Sequence, residues 1–157
     1  MNTTPEINNL NCPKVEQFCE THMAAIVRNA QAARVILRTV LLALHAQDSG
    51  AISQGAKGGA SIWSAAISAV LTRLDTVRDT LMETGDSPPL DWPTPHALAS
   101  ALDSALWDGY CTGAAVLTTQ ETTIAIQVVI DSLDDMLRDC AMAGSDNTKV
   151  TGGGTIQ

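Results

Sequence analysis

After Pro13 the chain runs to Gln47 with no glycine and no further proline, and the first interruption is Gly50. Apolar or small side chains recur there in steps of three or four: Val15, Cys19, Ile26, Ala30, Ala33, Leu37, Val40 and Leu44, with His22 in the same series. A mean step of about 3.6 places them on one face of a helix. Met23, Val27, Ile36 and Leu41 broaden that face beyond a coiled-coil seam. Pro13 suits a first helical position, where its missing N–H costs nothing. At about 1.5 Å per residue such a helix is roughly 50 Å long. A wide apolar face of that length needs a partner along it, either later parts of the chain or a second copy.

The rest of the chain supplies further helices. The polar residues Met1 to Asn11 read as a loose arm. Asp48-Ser49-Gly50 ends the first helix, and the glycine-rich residues 51–60 read as a loop or a poor helical turn. The string Gly55-Ala56-Lys57-Gly58-Gly59 lacks the lysine placement, the following Ser/Thr and the preceding strand of a phosphate-binding loop. A second helix is expected over Ser61–Glu83, with Trp63, Ile67, Val70, Leu74, Val77 and Leu81 on its buried face. Thr84-Gly85 closes it, and Asp86 to Thr94, with Pro88, Pro89 and Pro93, reads as a non-helical linker. A third helix is expected from Pro95, capped by Thr94, with Leu98, Leu102, Leu106 and Tyr110 inward. A fourth opens on the capping box Thr118-x-x-Glu121 and carries Ile126, Val129, Leu133, Met136 or Leu137, and Cys140 to about Ala143-Gly144. Residues 145–157 read as a disordered tail. The expected fold is all-α: one antiparallel four-helix bundle over residues 12–144, made of a hairpin at 12–84, a linker at 85–94 and a hairpin at 95–144.

The two hairpins resemble each other. A shift of 59 carries Ala66, Ile67, Val70, Leu74 and Asp75 onto Ala125, Ile126, Val129, Leu133 and Asp134. A shift of 62 carries Ala43-Leu44 onto Ala105-Leu106. Two readings stand: tandem duplication of a helical hairpin, or the likeness that any two amphipathic helices share. Duplication requires a pseudo-twofold packing of the halves.

Charge is unevenly distributed. Residues 1–85 hold seven acids and seven bases, whereas residues 86–157 hold ten acids against Arg138 and Lys149, so the net −8 sits entirely in the second half. From Thr21 to Gln47 there are three arginines, Arg28, Arg34 and Arg38, and no acid. The acidic half and the arginine-bearing helix are expected to attract each other, within one chain or between two. Direct nucleic-acid binding is disfavoured for want of clustered positive charge. No apolar run approaches the roughly 18 residues of a membrane span, so no membrane partner is expected. With no basic start followed by an apolar segment, a cytoplasmic setting is expected, where Cys12, Cys19, Cys111 and Cys140 would stay reduced.

Chemistry-bearing patterns are few. Cys19 and His22 share a helix face, but zinc needs further ligands and no local Cys-x-x-Cys supplies them. No metal site and no cofactor are expected. Asp131, Asp135 and Asp139, with Asp134 beside them, form a carboxylate row, and Asp75, Asp79 and Glu83 form another. Both lie off the apolar stripes and read as solvated faces, the first also as an acidic partner-binding face. No Glu-x-x-His and no Gly-x-Ser-x-Gly pattern occurs, and an enzyme is not expected. Trp92 reads as a plug at the end of the bundle or an exposed anchor for a partner, and Trp107 and Tyr110 carry the same alternatives.

The expected function is therefore that of a non-catalytic helical interaction protein that homo-oligomerises or binds a protein partner. Its oligomer face is expected at Val15, Cys19, Ile26, Leu37 and Val40. The alternative is an acidic decoy that uses Asp131, Asp134, Asp135 and Asp139 to occupy a basic, nucleic-acid-binding-type groove of a partner protein.

Overall fold

Helix α1 spans Pro13–Asp48, α2 Gly59–Thr84, α3 Pro93–Thr112 and α4 Thr119–Lys149 in the computed structural model. The structure describes the backbone at residues 13–48, 59–84, 90–114 and 116–149, and side chains at 20–47, 62–83, 90–114 and 116–143. Each helix packs against its neighbours in the chain, and α4 closes on α1, while the diagonal pairs are not neighbours among the described residues. The result is an antiparallel four-helix bundle with one core running down its axis.

Helical period explains that core. On α1, Ile26, Ala30, Ala33, Leu37, Val40 and Leu44 are buried; on α2, Ile67, Val70, Leu74, Val77 and Leu81 are. On α4, Ile126, Val129, Leu133, Met136 and Cys140 are buried as the periodicity predicts, joined by Ile130. The capping box forms: Glu121 N–H donates to Thr118 Oγ1 (3.2 Å), and Thr118 N–H donates to Glu121 Oε2 (2.8 Å). The hydrogen bonds from Thr118 hold the Glu121 carboxyl below its ordinary pKa. The stabilisation they give is present above the usual carboxylate range and is lost as pH falls through the lowered value.

Helix α3 departs from expectation at both ends. It begins at Pro93, not Pro95, with Trp92 at the N-cap position and already in right-handed helical conformation. Proline is tolerated throughout a first turn, so Pro93 opens the helix instead of excluding it. The capping oxygen comes from Asp91, whose Oδ1 accepts from Thr94 N–H at 3.3 Å, so Thr94 is not the cap. At the other end Tyr110 is 47% exposed, not inward. Three successive steps of four, from Leu98 to Tyr110, turn progressively off a face of 3.6 period; the buried series is Pro95, Ala99 and Leu102, with Leu106 packed at its edge. Gly113 ends α3 at φ 67°, the left-handed conformation that favours glycine.

Helix α4 continues past Gly144 to Lys149, so the five residues assigned to the start of a tail are helical. Gly59 and Ala60 likewise belong to α2. The expected N-terminal arm, most of the glycine-rich loop, the first part of the proline-rich linker and the tail from Val150 lie outside the described residues.

The two sequence shifts also relate contacts made inside the bundle. The shift of 59 carries Asp75 on α2 to Asp134 on α4, and the shift of 62 carries Arg34 on α1 to His96 on α3. These four residues form two interhelix polar contacts, Asp75–His96 at 3.1 Å and the ion pair Asp134–Arg34 at 2.6 Å. The same shifts carry buried Ala33, Leu37 and Val40 onto buried Pro95, Ala99 and Leu102.

Candidate functional site

Three of the residues expected to form an oligomer face lie inside the bundle. Ile26, Leu37 and Val40 are at most 4% exposed and belong to the chain's own core. Helices α2 and α4 flank α1 and cover that stripe, so a second copy is not needed to bury it. Val15 and Cys19 fall on α1, where side chains lie outside the described residues.

The acidic row on α4 divides. Asp134 points toward α1, where Arg34 Nε lies 2.6 Å from Oδ1 and Arg38 Nη2 3.7 Å from Oδ2. The Arg34 Nε–H is not aligned for a hydrogen bond, so the contact is an ion pair. The expected attraction between the arginine helix and the acidic half is thus made within one chain. Asp131, Asp135 and Asp139 are exposed. Asp131 accepts from Gln127 Nε2 at 2.8 Å, and Asp135 pairs with Arg138 at 2.6 Å.

A polar seam joins α2 to α3. Asp103 Oδ1 accepts from Ser64 Oγ at 2.9 Å and from Ser68 Oγ at 3.3 Å, and Ser64 is buried. Further along, Asp75 Oδ1 lies 2.9 Å from Arg78 Nη1 and 3.1 Å from His96 Nε2. The edge of Trp92 meets the His96 ring at 6.0 Å. Trp92 is half-buried against the core beside buried Leu90, the plug position. Asp75 and Trp92 hold His96 from either side, the geometry of an interhelix clasp. Asp103→Ala should lower stability by about 1 kcal/mol by stripping the buried Ser64 hydroxyl of its acceptor. Asp103→Asn keeps an acceptor oxygen and should cost less; thermal unfolding of the two variants checks this.

Among the described residues no group of three or more His, Cys, Asp or Glu side chains converges as a metal site. His22 is half-buried on α1. Cys111 is exposed in the last turns of α3, whereas Cys140 is buried toward the opposite end of the bundle. Burial, and then the charge of Asp139, push the Cys140 thiol above its ordinary pKa and keep it protonated.

What remains is the outer surface, where the sequence periodicity is silent about function. Along α1 the solvent-facing positions step by four and three through Arg28, Gln31, Val35, Arg38 and Leu42. Along α4 they step the same way through Ile124, Val128, Asp131, Asp135 and Arg138. Val35 is 62% exposed, Leu42 70%, Ile124 55% and Val128 45%. The two sequence shifts supply an internal comparison. They carry Val35, Arg38 and Leu42 onto Ala97, Ser100 and Ser104 of α3, and relate Ile124, Val128, Asp131 and Asp135 to Ala65, Ala69, Thr72 and Thr76 of α2. Those equivalents are also exposed, but they are small and uncharged. The hydroxyls of Thr72, Thr76 and Ser104 donate back to carbonyls of their own helices. At these matched positions α1 and α4 carry larger apolar or charged groups than α3 and α2, while elsewhere on α2 and α3 Ile62, Met82, Trp107 and Tyr110 are exposed.

No described helix is long and apolar enough to cross a membrane. No family model, no curated protein and no solved structure matches the chain.

Proposed function

We propose that the chain is a non-catalytic interaction protein whose binding surface is the α1/α4 side of the bundle. The observation that carries this reading is the contrast between equivalent positions. Val35, Leu42, Ile124 and Val128 are exposed where the sequence shifts place Ala97, Ser104, Ala65 and Ala69. Scattered exposed apolar residues are ordinary, but these four, set on two adjacent helices and interleaved with charge, have the composition of a contact surface. The decoy reading has weaker support: Asp134 is ion-paired with Arg34 and Arg38, and Asp135 with Arg138.

Site-specific photo-crosslinking in living cells tests this. A photoreactive residue at Leu42 or Val128 should give a discrete covalent adduct with protein. The same residue at exposed Ser100 of α3 should give none. Absence of an adduct at both Leu42 and Val128 overturns the reading.

A further inference from the structure

We infer that the occupant of this surface is a second copy of the chain, with α1 of each copy laid along α4 of the other. The inference rests on the α1/α4 side being the binding surface and adds what binds there and in which register.

Charge complementarity selects the arrangement. The outward face of α1 carries Arg28 and Arg38, and no acid occurs between Thr21 and Gln47. The outward face of α4 carries Asp131, Asp135 and Asp139 against the single base Arg138, so it is net acidic. Two closed arrangements bring two such sides together. A twofold axis perpendicular to the helices stacks α1 on α1 and α4 on α4, setting arginine against arginine and aspartate against aspartate. A twofold axis parallel to the helices stacks α1 on α4, setting opposite charges against each other on both halves of the interface. Like charges across an interface exclude wrong arrangements, so the parallel axis is the one selected.

This axis introduces no shift along the helices. The level set within one chain by Arg34 and Asp134 therefore also holds between copies. Counting from it along antiparallel helices, Arg38 arrives beside Asp131 of the other copy, Arg28 beside its Asp139, and Leu42 between its Ile124 and Val128. One register thus matches both charge pairs and places the most exposed leucine against two exposed apolar side chains.

The test is sedimentation velocity on the full chain, on R28E/R38E, on D131K/D139K and on their equimolar mixture. Circular dichroism confirms that each is helical. The wild type should be a dimer. Each double reversal should raise its dissociation constant at least about tenfold, because every substitution creates like-charge contacts on both halves of the interface. The mixture should recover a heterodimer, since one variant is then acidic on both faces and the other basic on both. A wild type that dimerises no better than the two reversals overturns the inference while leaving photo-crosslinking at Leu42 and Val128 to judge the wider reading. A dimer insensitive to both reversals also overturns the proposed register, and shows self-association through another face.

Discussion

Leu74→Ala should lower the unfolding free energy by about 2–5 kcal/mol, the range for a buried leucine whose site cannot collapse. Leu74 is fully buried at the middle of α2's inward stripe, between buried Val70 and Val77. Its methyl groups fill space that α1 and α3, the two helices packed against α2, approach from either side. Alanine leaves that space empty, and α1 and α3 would both have to move toward α2 to close it. In a chain of this size the loss corresponds to roughly 2–4 °C of melting temperature per kcal/mol. Met82→Ala on the same helix is the control. That methionine is 71% exposed, and its loss should change stability by less than about 0.5 kcal/mol. Thermal and denaturant unfolding of the pair checks both values. Equal effects would mean that α2 is packed with the wrong face inward.

Ala33→Leu should destabilise by about 1–3 kcal/mol through overpacking. Ala30 and Ala33 are fully buried at successive inward positions of α1, where the small side chain lets neighbouring helices approach closely. Three more carbon atoms at Ala33 would force α1 away from its neighbours or drive flanking side chains from their preferred rotamers. The displacement would also strain the adjoining Arg34–Asp134 pair. Exposed Ala24 on the same helix is the control, because Ala24→Leu keeps a strong helix former and adds no bulk inside. Denaturant titration should show a lowered midpoint for Ala33→Leu alone.

Much of this architecture is legible in the residues because proline, glycine and period act locally. The break at Gly50, the capping box at Thr118 and the alternation of threes and fours on α2 and α4 each specify structure over a few residues. Errors arose where a local rule had two outcomes. Proline excludes helix interiors but opens first turns, which is why α3 begins at Pro93. Steps of four alone lead from Leu98 to Tyr110, and such steps drift off the face that alternating steps hold, which leaves Tyr110 exposed. Helix α4 runs through Gly144 because one glycine costs only about 1 kcal/mol relative to alanine.

The surface was harder to read for a different reason. Periodicity at Ile26, Leu37 and Val40 states that a face is buried, not whether this chain or a second copy buries it. The aspartate row was visible, but its division required knowing that Asp134 faces α1. The contrast between the two sides was encoded in the shifts of 59 and 62. It emerges only when the exposed positions of each half are compared, after the buried ones have been removed.

The most direct test is the solution mass of the untagged chain by light scattering after size exclusion, over a wide concentration range and at low and high salt. One chain is 16.5 kDa. A species of twice that mass, dissociating on dilution, is the predicted result. A mass of 16.5 kDa at every concentration and both salts would contradict self-association through the α1/α4 side.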